Sequence, residues 1–177
     1  MGFHFSAIAI ERGGSVSQEP PGFVRVSSPQ RTYDFGEAIS SNTTSLSIGQ
    51  VGDWSVIIDP TCGILPEALT EPGSIWDRRL IDLSKTNRSV VFVEEGYSST
   101  YGFALYEGGA CIRRWLYIDA EVIENDGTPL TVEASMQSIE DGEVFLDFDF
   151  QVLLGSFGIS LDILFDDAEY AACDVAS

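Results

Sequence analysis

The sequence predicts an α+β protein: an antiparallel meander sheet of about five to seven strands with two or three helices packed on one face. Three observations carry this expectation. The runs SVVFVEE, TYGFALYE and ACIRRWLYI, rich in β-branched and aromatic residues, follow one another with only EGYSS and GG between them. Strands so close in sequence have to be antiparallel, because a parallel return needs a crossover of roughly a dozen residues. Next, SIWDRRLIDLSK combines a helix-start residue with apolar positions at helical spacing. Finally, 177 residues with 44% hydrophobic and 11% aromatic content are enough to bury one core, which argues for a single domain over 1–177. Within it, 1–50 reads as an N-terminal strand and loop region, 53–135 as helix and antiparallel sheet, and 136–177 as an acidic C-terminal segment.

Taken in order, Phe3, Phe5, Ala7 and Ala9 alternate with His4, Ser6, Ile8 and Ile10, the pattern of a strand buried on at least one face. Arg12 to Gly22, with its glycines and prolines, reads as a loop, and TYDFGEAISS as a short helix or an irregular stretch. LSIGQ and WSVIID form paired strands around Val51, Gly52 and Asp53. Pro60 to Gly73 is a connection. In the helix that follows, Ser74 takes the N-cap position, with Asp77 three residues on and Ile75, Leu80, Ile81 and Leu83 on the apolar side. After the meander, AEVIE and PLTVEA are expected to add a hairpin around Asn125-Asp126-Gly127. EVFLDFDFQVLLGSFGI alternates like a strand. Its ending favours helix over Glu143 to Phe157, because Gly158 at C′ sets Ile159 against Leu154 as in a Schellman stop. The tail supplies a turn and a final strand.

Charge is distributed unevenly. The net charge is −19. Met1 to Arg114 holds thirteen Asp and Glu against nine Lys and Arg, whereas Trp115 to Ser177 holds fifteen acids and no Lys, Arg or His. Such a field repels nucleic acid and anionic membrane surfaces, and it attracts basic partners at rates that salt depresses. No apolar run approaches the roughly 20 residues of a membrane helix. Three cysteines without CxxC spacing suit a reducing cytoplasm and imply neither a disulfide framework nor a zinc site. The N-terminus does not read as a signal peptide.

No motif for catalysis stands out. The only histidine, His4, lies in an apolar strand, and nothing in the spacing brings Cys62 to it. The carboxylates of LDFDF and FDDAE lack the spacing of a calcium loop, so no metal is expected, and no glycine pattern supports a nucleotide, so no cofactor is expected. Arg78-Arg79 and Arg113-Arg114, near Trp76 and Trp115, have the chemistry of an anion patch. Adjacent arginines on a strand face opposite sides, however, and the stronger expectation is that one of Arg113 and Arg114 pairs with an acid while the other covers core edge with its stem. Tyr97, Tyr101 and Tyr106 lie around one hairpin, as packing or as a contact surface.

The order WSVIID, RRLIDLSK, RSVVFVEEGYSSTYGFALYEGGACIRRW and LLGSFGISLD, over about Trp54 to Asp162, resembles uncharacterised bacterial α+β domains, among them ones that resemble immunity proteins of toxin systems. That resemblance implies an antitoxin-like or accessory binding role and no particular chemistry. Residues and resemblance together point to a non-enzymatic intracellular protein whose acidic surface engages a basic protein partner. Glu140, Asp141, Glu143, Asp147, Asp149, Asp166, Asp167 and Glu169 are the expected contact residues. Two other classes stay open: a small-molecule-binding or hydrolytic domain with a pocket between sheet and helix near Cys62, Trp76 and Trp115, and a structural subunit of a homo-oligomer.

Overall fold

The structure is a computed structural model that describes residues 4–12, 22–27, 32–40, 46–63, 66–96, 98–119, 121–135, 147–159 and 168–175. Its frame is one antiparallel sheet. In chain order the strands are β1 His4–Glu11, β2 Val24–Val26, β3 Thr32–Tyr33, β4 Leu46–Val51, β5 Trp54–Asp59, β6 Ser89–Glu95, β7 Thr100–Glu107, β8 Ala110–Ile118, β9 Glu121–Gly127 and β10 Tyr170–Val175. They lie side by side as β2-β10-β4-β5-β1-β6-β7-β8-β9, with β3 also paired to β10. The expected meander is present as β6 to β9. The strand number is not the expected five to seven: among the described residues ten strands enter the sheet.

The strands without an expectation in the sequence are the short β2 and β3, both paired to β10, whereas β1 and the final strand are expected but placed by distant neighbours. The N-terminal β1 inserts between β5 and β6, pairing Ile8 with both Ile57 and Val91. The C-terminal β10 inserts between β2 and β4. Both are short apolar runs whose neighbours are distant in sequence.

Among the described residues four helices accompany the sheet, α1 Phe35–Ala38, α2 Glu67–Thr70, α3 Ile75–Leu83 and α4 Asp147–Ser156, together with a 3₁₀ turn at Thr131–Ser135. They lie on both faces of the sheet, not on one. Directly opposed residues of neighbouring strands share a face. Phe5, Ala7, Val56, Phe92, Phe103 and Trp115 therefore form a first face, covered by Phe35 of α1 and by Leu153 and Leu154 of α4. Ile8, Ile57, Val91, Ala104 and Leu116 form a second, covered by Leu69 of α2 and by Trp76 and Leu80 of α3. All six residues of β5 are buried, as are the six interior residues of β1. A strand that presents apolar side chains to both faces needs a cover on each. Each fully buried Ile, Leu or Phe contributes about 1.5–3 kcal/mol, so leaving the second face bare would outweigh the net stability of an ordinary domain.

Local signals set the helix ends. The Ser74 hydroxyl accepts the Asp77 N–H at 3.1 Å at the start of α3. At α1, Asp34 and Glu37 form a capping box. The helix reading of the acidic, Phe-rich segment holds over Asp147–Ser156. Its stop is the expected one: the Ile159 N–H donates to the Leu154 carbonyl at 3.0 Å and the Gly158 N–H to Gly155 at 2.9 Å. Gly158 has φ +76°, and Leu154 and Ile159 are both buried.

The hairpin expected around Asn125-Asp126-Gly127 does not form. Those residues close β9, and Thr131–Ser135 is a 3₁₀ turn. The Asn-Asp-Gly signal is local, and the ladder to β8 overrides it. Pro60 to Gly73 is a connection as expected, with the single turn of α2 within it.

Candidate functional site

The last cations of the chain explain the surface beside them. Successive residues of a strand point to opposite faces, so Arg113 and Arg114 of β8 enter different cores. Arg113, 1% exposed, meets Glu133 of the 3₁₀ turn through two parallel hydrogen bonds, Nε to Oε1 at 2.8 Å and Nη2 to Oε2 at 2.6 Å. Its Nη1 donates to Asn125 Oδ1 at 2.7 Å and to the Asp126 carbonyl at 3.0 Å. Arg114, on the second face, donates to Asp77 Oδ1 at 2.7 Å. The same carboxylate accepts the Tyr106 hydroxyl at 2.8 Å, and its other oxygen accepts the Gly73 N–H at 2.7 Å. Burial pushes the Tyr106 phenol above its ordinary range. Contrary to expectation, neither arginine merely covers core edge with its stem. A guanidinium this deeply buried requires a counter-charge, and each has one.

β9 lies against β8 and ends the sheet. It is the most polar strand: Glu121, Val122, Ile123, Asn125, Asp126 and Gly127 are exposed, and Glu124 is half-buried. A bulge interrupts its pairing, opposing Tyr117 to Val122 but Leu116 to Glu124, so Ile123 is an extra residue. The bulge changes the phase of the strand. Glu121, Glu124 and Asp126 oppose Ile118, Leu116 and Arg114, alternate residues of β8, so the three carboxylates share one face although their numbers do not alternate. No ion pair reaches any of them among the described residues. Asp126 does accept the Gly127 N–H at 3.0 Å. Asp119, exposed at the β8–β9 turn with φ +48°, continues the acidic margin. Val122 and Ile123 add apolar surface at 45% and 51% exposure.

None of the expected contact residues belongs to β9. Glu140, Asp141, Glu143, Asp166 and Asp167 fall outside the described residues, as does Tyr97. Asp147 and Asp149 belong to the first turn of α4. Glu169 is exposed just before β10. The acids of β9 escape sequence reasoning because AEVIE reads as one arm of a hairpin. The available signal was the polarity of EVIENDG, too high for an interior strand.

Other candidates are rearranged or dispersed. Trp76 and Cys62 pack on the second face and Trp115 on the first, so the expected pocket near all three does not assemble. The same separation, together with the burial of Arg113 and Arg114, dissolves the anion patch. Arg79 instead stacks over Trp76 at 5.3 Å. Tyr101 and Tyr106 face opposite cores.

Strand register does bring polar groups near Cys62. His4 Nδ1 lies 3.2 Å from Glu95 Oε1, and Ser6 pairs with Asp59 on the same face as His4. Burial, then Asp59 and Glu95, push the Cys62 thiol up to about 12, and only the neighbouring Ser6 hydroxyl acts the other way. The sulfur is thus held protonated, the opposite of an activated nucleophile. Among the described residues no cluster of His, Cys, Asp and Glu is arranged to hold a metal, and no helix is long and apolar enough to cross a membrane.

Protein-family models, curated proteins and solved structures give no match to this chain.

Proposed function

We propose that the protein is a non-enzymatic binding module whose acidic surface engages a basic protein partner. One observation carries this reading. The two arginines that adjoin β9 are turned into the cores and committed to Glu133 and Asp77, so the carboxylates of Glu121, Glu124 and Asp126 stand on the terminal strand with no ion pair among the described residues. In this reading Glu140, Asp141, Glu143, Asp147, Asp149, Asp166, Asp167 and Glu169, from the same cation-free third of the chain, extend the negative field. Occupation of a toxin's basic cleft, the immunity-type role, is one form such capture would take. Long-range attraction raises the association rate, and salt screens it.

The experiment is stopped-flow association with a labelled oligolysine. The triple variant Glu121→Gln, Glu124→Gln, Asp126→Asn should associate several-fold more slowly than wild type at low salt. A control removing the same charge from exposed residues elsewhere, Asp53→Asn, Glu71→Gln, Glu107→Gln, should change the rate much less. Equal rates for the two triple variants would remove β9 from the reading, and a rate indifferent to salt would end it.

A further inference from the structure

We infer that β9 is itself the docking element, and that the partner adds to the sheet as an extended strand carrying Lys or Arg at every second position. This deepens the acidic-surface reading and rests on it.

Four features of β9 converge. It is a terminal strand, paired on one side with β8, and among the described residues no strand pairs with its other side. A terminal strand presents unpaired N–H and C=O groups at alternate residues, a template for another strand. Seven residues make this edge about 20 Å long at roughly 3.3 Å per residue. Among the described residues the opposite end of the sheet offers shorter strands, the three residues of β2 and the two of β3, both paired with β10. Its charges are in phase as well, because the bulge sets Glu121, Glu124 and Asp126 on one face as though they occupied alternate positions. An added strand that skips Ile123 as β8 does would set cations at i, i+2 and i+4 opposite all three. Lastly, the exposed Val122 and Ile123 offer apolar contact beside the acids.

The same charges decide between occupants. A second copy pairing β9 with β9 would set carboxylates near carboxylates across the new ladder, which is unfavourable. Single-sign charge on an edge therefore blocks self-pairing while admitting an oppositely charged strand. This is selection by repulsion as much as by attraction.

The test uses the full chain and three peptides of eight residues alternating Lys and Val, acetylated and amidated at the ends. One has an ordinary backbone, one is N-methylated on every Lys amide, and one on every Val amide. Charge is the same in all three. Alternate residues of an antiparallel strand turn their N–H groups to the same side, so only one methylated peptide loses the donors that face β9. The expected result is salt-sensitive binding of the ordinary peptide, a loss of tenfold or more for one methylated peptide, and a change under threefold for the other. Hydrogen exchange should slow at β9 amides when the ordinary peptide is bound. Equal binding by all three, or equal losses for both methylated peptides, would overturn strand addition while leaving the acidic-surface reading standing. Failure of the ordinary peptide to bind would overturn both.

Discussion

Arg113 and Glu133 show how a charge can be obligatory without adding much net stability. Their paired hydrogen bonds offset the cost of removing two charges from water, and losing one partner strands the other. Glu133→Ala should lower unfolding stability by about 3–5 kcal/mol in urea titration, and the double variant Arg113→Met, Glu133→Leu should lose clearly less. Cys62 gives a second prediction. Burial raises the pKa of its folded-state thiol from an ordinary 9.0 to about 12. Stability from this proton is therefore complete below pH 9.0 and is lost as pH rises towards 12. Between pH 8 and 11 the denaturation midpoint of wild type should fall further than that of Cys62→Ser, and the thiol should alkylate slowly at neutral pH. The fates of these residues were only partly legible. Alternation along β8 separates Arg113 from Arg114, but their partners Glu133 and Asp77 lie 20 and 37 residues away, beyond the reach of any spacing rule.

Elements whose stops and starts are written in adjacent residues were readable as sequence. Ser74 caps α3, and Gly158 ends α4 at a positive φ that a side chain resists. Ser74→Ala and Gly158→Ala should each cost about 1 kcal/mol in thermal or denaturant unfolding. Gly127 was legible as a glycine with a structural role but not as the right one. It has φ +84° at the end of β9, and a Cβ there would run into the Ile112 carbonyl. Gly127→Ala should cost more than Gly158→Ala, about 1–3 kcal/mol, and should speed hydrogen exchange in β9 before the central strands are affected. The misreading of Asn125-Asp126-Gly127 as a hairpin has the same origin. Turn propensity is a preference of a few residues, and a ladder of hydrogen bonds to β8 outweighs it.

The whole molecule joins a sheet covered on both faces to a strongly negative surface. Burying Arg113 and Arg114 with one acid each leaves the net charge at −19 and removes two cations from the exterior. Charge on the β9 edge should also keep copies of the protein apart. The triple variant at Glu121, Glu124 and Asp126 is expected to retain its fold, since among the described residues none of these side chains is in an ion pair. In concentration-dependent light scattering it should shift towards larger species relative to wild type. An unchanged distribution would show that edge charge does not govern self-association.

The meander, the caps of α3, the helical stop before Ile159 and the confinement of positive charge to the first 114 residues follow from short-range rules, in which the interacting groups are a few positions apart or are simply counted. The placement of β1 between β5 and β6, the entry of β10 beside β4, the covering of two faces and the common face of the β9 acids depend on register between strands distant in the chain. That register is fixed by which apolar surfaces can be buried together. A shift of one residue would turn each strand's buried side chains to the other face, and no single segment carries that constraint.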